Sequence, residues 1–234
     1  MTETLLSSTA SAKTVLEIDL AAIGKNIITI KGIIGHNTKM LMPVKADGYG
    51  HGAVYVSRYI ESRGLVDMLG VASVEEGIEL RESGIKLPIL ILGLILPCKK
   101  DINNIIEYDL TQTVADLYLA QDISKIAEKK KKNAKVHLKI DTGMGRIGCS
   151  IEEAVTIAEA ITQLPYIELE GIFSHFPVSG DRNSDFTVNQ INRFKQILEQ
   201  LKEKEIKIQY KHLANSAAIL NFPESYLNMV RPGI

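Results

Sequence analysis

An apolar segment, KMLMPVK (39–45), ends in a lysine and runs into DGYGHG (47–52). A lysine at the edge of a partly desolvated site has a lowered pKa and can form a Schiff base with a carbonyl group. The glycines that follow let the backbone come close to a bound group. Other segments end in comparable groups. DTGMGRIG (141–148) presents Arg146, and GIFSHF (171–176) presents His175. LANSAA (213–218) presents Asn215 and Ser216, and MVRPGI (229–234) presents Arg231 and Gly233. The candidate chemistry is therefore that of one amine, Lys45, among donors of hydrogen bonds.

Each of these groups follows a strand-like run. The series is KMLMPVK (39–45), VDMLGVA (66–72), PILILG (88–93), LTQTVA (110–115), KVHLKID (135–141), IELEGIFSH (167–175), IQYKHLA (208–214) and LNMVRPGI (227–234). Helical patterns lie between them, notably at 52–62, 116–132, 151–163 and 186–204. Ser73 with Glu76, and Ser150 with Glu153, have the spacing of capping boxes, so a helix starts after each serine. Strands alternating with helices pair in parallel through right-handed crossovers. Eight such units in about 250 residues predict a closed (β/α)8 TIM barrel, with function at the C-terminal ends of the strands. An earlier piece, VLEID (15–19), reads as a further strand outside the series. Residues 1–14 read as a flexible N-terminus and 15–234 as the barrel. The barrel reads as truncated at the end of strand eight, because no eighth helix covers it.

GMGRIG (143–148) fits the dinucleotide pattern GxGxxG between a strand and a helix. That fingerprint belongs to the first βα turn of a nucleotide-binding unit. Here it falls on the fifth strand, which argues against a dinucleotide. The net charge of −1 provides no field for nucleic acid or an anionic membrane. The longest apolar run, Leu87 to Pro97, is broken by Gly93 and too short to span a bilayer. Trp is absent and aromatics make up 6%, so the core must be aliphatic, as suits buried parallel strands. Cys98 and Cys149 form neither a metal pair nor a disulfide framework. With the polar N-terminus MTETLLSSTASAKT, they point to a reducing cytoplasmic setting.

Taken together and in order, VKADGYGHG (44–52), HLKIDTGMGRIG (137–148), GIFSHF, LANSAA and MVRPGI resemble the N-terminal domain of the alanine racemases. The resemblance runs from about Val15 to Ile234. It implies pyridoxal 5'-phosphate as cofactor and interconversion of L- and D-alanine for peptidoglycan synthesis. Lys45 would carry the cofactor and act as the base on the D-alanine side. Tyr49, Ser216, Gly233 and Ile234 would hold its phosphate, with Asn215 beside them. Arg146 would reach its phenolic oxygen and the substrate, and His175 would pack near its ring. Lys139 matches a position that the family carbamylates, which would turn a cation into an anion able to orient Arg146.

Arg231 would face the pyridine nitrogen. An arginine only donates hydrogen bonds. It would keep that nitrogen unprotonated and weaken the ring as an electron sink, which favours racemisation over decarboxylation. Racemisation needs two bases on opposite faces of one carbon. The resemblance places the second, a tyrosine, in a C-terminal domain of a homodimer. Tyr108 and Tyr166 do not match its motif. A separate C-terminal half is the other source the resemblance allows; a non-catalytic carrier of pyridoxal phosphate, or an inactive fragment, is the competing expectation.

Overall fold

The computed structural model describes residues 15–233. The chain enters through α1 (Leu20–Ile34), then β1 (Lys39–Pro43), α2 (Lys45–Gly50), α3 (Ala53–Ser62), β2 (Met68–Val71) and α4 (Val74–Glu82). It continues with β3 (Ile89–Ile91), α5 (Lys99–Glu107), β4 (Thr111–Val114), α6 (Leu117–Lys130), β5 (Ala134–Lys139) and α7 (Ile151–Thr162). Next come β6 (Ile167–Phe173), α8 (Asp185–Glu203), β7 (Tyr210–Asn215), α9 (Ser216–Asn221) and β8 (Met229–Arg231). Every neighbouring pair of strands is parallel, and β8 closes on β1 through Lys39 and Met40. The expected barrel is therefore present, with eight strands among the described residues. The expected flexible stretch, 1–14, and Ile234 lie outside them.

Short runs such as Ile89–Ile91 are buried throughout, because one face meets the barrel interior and the other the surrounding helices. The helices start where side chains can take up their free amides. Ser73 accepts from Glu76 N at 3.4 Å and Ser150 from Glu153 N at 3.3 Å. One expectation is corrected. VLEID forms no strand; Asp19, its last residue, caps α1 by accepting from Ala22 N at 3.0 Å. The segment after it is a 15-residue helix whose buried stripe includes Ile23, Ile27 and Ile34.

The barrel interior has two unlike halves. Leu41, Met68, Leu90, Tyr210 and Met229 form an apolar cluster joined by Leu92. Further toward the C-terminal ends of β7 and β8, two residues past Tyr210 and Met229, His212 and Arg231 are buried instead, with His137 and Lys139 buried on β5. Buried polar groups are retained only when they are partnered. This polar half opens at the C-terminal ends of the strands.

Candidate active site

Lys45 is not the last residue of a strand. β1 stops at Pro43, and the chain then turns left-handed through Ala46 (φ 51°), Asp47 (φ 52°), Gly48 (φ 62°) and Tyr49 (φ 55°). Left-handed backbone costs a residue with a Cβ about 1–2 kcal/mol, so this turn is held from outside. Glu76, near the start of α4, accepts the Ala46 amide on Oε1 at 2.8 Å and the Ala72 amide on Oε2 at 2.6 Å. Asp47 accepts the Ala53 amide at 2.8 Å, fixing the far end of the turn to α3. Lys45 emerges half-buried from this braced turn.

The glycine-rich loop folds around a carboxylate. Asp141 accepts from Gly143 N at 2.8 Å and from Arg146 N at 3.0 Å, and these amides hold its pKa below the usual carboxylate range despite its burial. The loop amides that a dinucleotide would need are thus turned on Asp141. Gly148 closes the loop with φ +142°, and a Cβ there would lie 2.4 Å from Asp141 N.

Lys139 is 5% exposed, and its Nζ lies 5.1 Å from the centre of the Phe173 ring. Burial first, then Arg231, Arg146 and Lys45, lower its pKa to about 8; Asp141 opposes them. His175 is half-buried and is pushed down to about 3 by burial and then by Arg231, Lys139, Arg146 and Lys45. Four cationic side chains from different parts of the barrel therefore converge around one neutral imidazole. Lys45 and Arg231 lie at the same end of the fold.

Arg231 is 5% exposed and its burial lowers its pKa to about 9. It donates from Nη2 to the Ser174 carbonyl at 2.7 Å and the Leu213 carbonyl at 3.1 Å. Its Nη1 donates to His212 Nδ1 at 2.9 Å, and its Nη2 lies 3.4 Å from His175 Nδ1. These partners are neutral.

A second cluster lies beside the cationic one. The Gly233 amide donates to Ser216 Oγ at 2.8 Å. A Cβ on Gly233 would stand 3.5 Å from Ser216 Oγ and 3.9 Å from Tyr49 Oη, so two hydroxyls and a glycine border one small space. Asn215 faces the protein. Its Oδ1 accepts from Ser179 Oγ at 2.7 Å and from Ala218 N at 3.0 Å, and its Nδ2 donates to the Phe176 carbonyl at 3.3 Å. Its position makes it the brace of the turn that presents Ser216.

The sequence reading gave Glu76 only a capping role, whereas its carboxylate takes the Ala46 and Ala72 amides, and it passed over Asp141, His137 and His212. His137 lies two residues before Lys139 on one strand, so the period of two puts both on the same face. That spacing was the available signal.

The sequence pattern of the family "Alanine racemase, N-terminal domain" matches residues 18–234. The chain is 45% identical over 220 residues to "Alanine racemase 1" of Caldanaerobacter subterraneus subsp. tengcongensis, covering 94% of this chain and 56% of that protein. It is 44% identical over 219 residues to the alanine racemase of Desulforamulus reducens, covering 93% and 58%. The solved alanine racemase of Clostridium difficile 630 in complex with cycloserine superposes with a TM-score of 0.86 at 42% identity, covering 91% of this chain and 57% of that one. The alanine racemase of Bacillus anthracis with bound L-Ala-P gives 0.83 at 33% identity, covering 92% and 55%. This chain thus spans little more than half the length of these relatives. The chain belongs to the family of alanine racemase N-terminal domains.

Proposed function

We propose that this chain is the pyridoxal phosphate-binding half of an alanine racemase, with Lys45 as the residue that carries the cofactor. The carrying observation is the convergence of Lys45, Lys139, Arg146 and Arg231 around neutral His175. So much positive charge in a partly desolvated mouth calls for an anion. The phosphate is assigned to the region bordered by Tyr49 Oη, Ser216 Oγ and Gly233, where two hydroxyls meet a backbone that carries no Cβ. Loops after strands seven and eight are a recurrent phosphate site in such barrels. The relatives solved with cycloserine and with L-Ala-P are in keeping with a small amino-acid ligand.

When bound, pyridoxal phosphate withdraws electrons from the carbon that loses its proton. The protein's own groups do the rest. Lys45 Nζ takes a proton from one face of that carbon and returns it. Arg231, a donor only, would leave the pyridine nitrogen unprotonated, a tuning that would favour racemisation over decarboxylation. Arg146 would hold the phenolic oxygen and the substrate carboxylate. His175 remains neutral beside the ring. Lys139, with its lowered pKa, keeps a free amine fraction that can take up carbon dioxide; the resulting anion would orient Arg146.

Exchange between L- and D-alanine needs a second base opposite Lys45. Tyr108 ends α5 and Tyr166 precedes β6, so both lie at the other end of the barrel. The second base is therefore proposed to come from outside the described residues, in a homodimer or from a separate C-terminal half. This same observation favours one competing reading, a carrier that binds the cofactor without turnover. A peptidoglycan role and a cytoplasmic location belong to the racemase reading. Among the described residues, no helix is long and apolar enough to cross a membrane.

The test is direct. Purified chain mixed with pyridoxal phosphate is expected to develop a visible absorbance band that Lys45→Ala abolishes. No band in the unsubstituted chain would refute the cofactor assignment. Racemisation of alanine by the chain alone would sink the carrier reading.

A further inference from the structure

Arg231 has a second connection, which leads away from the mouth. From His212 a line of buried side chains runs down the barrel to Glu170. His212 Nε2 lies 2.9 Å from His137 Nδ1. His137 Nε2 lies 3.1 Å from Glu170 Oε2. Both histidines are fully buried, and Glu170 is 5% exposed. The line ends at the N-terminal side of the barrel, where Lys135 Nζ stands 3.5 Å from Glu170 Oε1.

We propose that Glu170 is a positioning residue for Arg231, acting through His137 and His212. The direction of every hydrogen bond in the line follows from its two ends. A guanidinium can only donate and a carboxylate can only accept. Arg231 Nη1 donates to His212 Nδ1, so that nitrogen is bare and the proton sits on Nε2. His212 Nε2–H then donates to His137 Nδ1, and His137 Nε2–H donates to Glu170. Two neutral imidazoles in the same tautomer join a cation to an anion, and every atom in the line is satisfied. Reversing one tautomer would put two donors or two acceptors face to face. Burial holds both histidines neutral, in agreement with this pattern.

The fold makes specific allowances for this line. β5 and β6 lose register between Val136 and His137: Val136 pairs with Leu169 and His137 with Gly171, leaving Glu170 as the extra residue. Bulges of this kind re-aim a side chain and are rare between parallel strands. The next residue, Gly171, leaves room for the imidazole; a Cβ there would lie 2.5–2.7 Å from three atoms of the His137 ring. Phe173 stacks on His212, with ring centres 4.6 Å apart and planes 5° off parallel. A carboxylate needed only to pair with half-buried Lys135 would require neither the bulge nor the glycine.

The line is a property of the protein without a ligand. Only its consequence, a guanidinium fixed in charge and direction toward a ring nitrogen, rests on the cofactor reading above. The test therefore uses the full chain without cofactor, labelled with nitrogen-15 in histidine and arginine. The ring signals are expected to show the proton on Nε2 of both His137 and His212. A proton on Nδ1 of either histidine would overturn the proposal without any substitution. Glu170→Leu removes the acceptor; both histidines are expected to lose their single tautomer and the Arg231 guanidinium signals to shift. Glu170→Gln keeps an acceptor oxygen and is expected to restore the pattern. Lys135→Met removes only the ion pair and is expected to leave His212 and Arg231 unmoved. If Glu170→Leu changes His137 alone, Glu170 has a local structural role and the proposal fails. A chain that passes these tests yet binds no pyridoxal phosphate would refute the cofactor reading and leave the relay standing.

Discussion

Glu76 Oε1 accepts the backbone amide of Ala46 at 2.8 Å, which ties the start of α4 to the residue after Lys45. Its other oxygen holds Ala72 at 2.6 Å, so one carboxylate locks two chain segments. Hydrogen bonds to a charged group contribute about 1.5–3 kcal/mol each, enough to offset the left-handed backbone at Ala46. Glu76→Ala is expected to lower stability by about 2 kcal/mol and to weaken pyridoxal phosphate binding by about tenfold. Thermal unfolding and a cofactor titration measure the two effects. Unchanged cofactor affinity in a destabilised variant would show that the turn does not depend on this brace.

Lys139 gives a prediction whose sign depends on its chemical state. Its folded pKa is about 8 against an ordinary 10.5. Between these values the unfolded chain binds more protons, so stability rises with pH across that window. Below pH 8 the whole penalty of holding a buried cation is present, on the order of 3 kcal/mol. In buffer free of carbon dioxide, Lys139→Met is expected to raise the melting temperature at pH 7, with the gain gone by pH 10.5. With bicarbonate present, a carbamate on Lys139 would pair with Arg146, and the same substitution is expected to destabilise. Intact-protein mass measured with and without bicarbonate checks which species is present. A melting temperature that falls in both buffers would contradict the unmodified cationic state.

Two fully buried histidines and the half-buried His175 weaken the fold in acid. His175 is pushed to about 3, and burial lowers His137 and His212 as well. Below the ordinary value of 6.5 the unfolded chain takes up protons that the folded chain refuses. Stability is therefore complete above about pH 6.5 and falls as pH drops toward the folded values. Each histidine adds a slope of up to about 1.4 kcal/mol per pH unit. Glu170, whose carboxyl is held low chiefly by its hydrogen bond from His137 against the cost of burial, adds to the loss only below the usual carboxylate range. Urea unfolding at pH 7.0, 6.0 and 5.0 is expected to show this decline, with His175→Asn removing about one proton from the slope. A stability that stays level down to pH 5 would mean that these imidazoles are charged in the folded protein.

The barrel was legible because short apolar runs and amphipathic segments repeat with few breaks, and Ser73 and Ser150 mark their helix starts. The residues at the mouth were legible because the topology puts strand ends together. Three features were not. VLEID has the composition of a strand, and only Asp19, an acidic residue ahead of a helical stripe, signalled the cap of α1. The left-handed turn after Lys45 is adopted not only by Asp47, which tolerates it, but by Ala46 and Tyr49, which have no intrinsic preference for it. Its cause, Glu76, lies 30 residues away. The same holds for the line behind Arg231, where His137 meets His212 across 75 residues. Local pattern carries no information about such partners.

Gly233 separates binding from folding. Its position leaves 3.5 Å to Ser216 Oγ and 3.9 Å to Tyr49 Oη for an added Cβ, which is ordinary contact, and its backbone needs no left-handed angle. Gly233→Ala is therefore expected to leave the stability of the cofactor-free chain within about 0.5 kcal/mol. The added methyl group would project into the space assigned to the phosphate. Affinity for pyridoxal phosphate is expected to fall at least about tenfold, or 1.4 kcal/mol. Lys45 chemistry itself should survive, so pyridoxal without its phosphate should react equally well with both proteins. Cofactor titration followed by absorbance, run in parallel with both aldehydes, measures the difference. If Gly233→Ala binds pyridoxal phosphate as tightly as the unsubstituted chain, the phosphate lies elsewhere in the mouth.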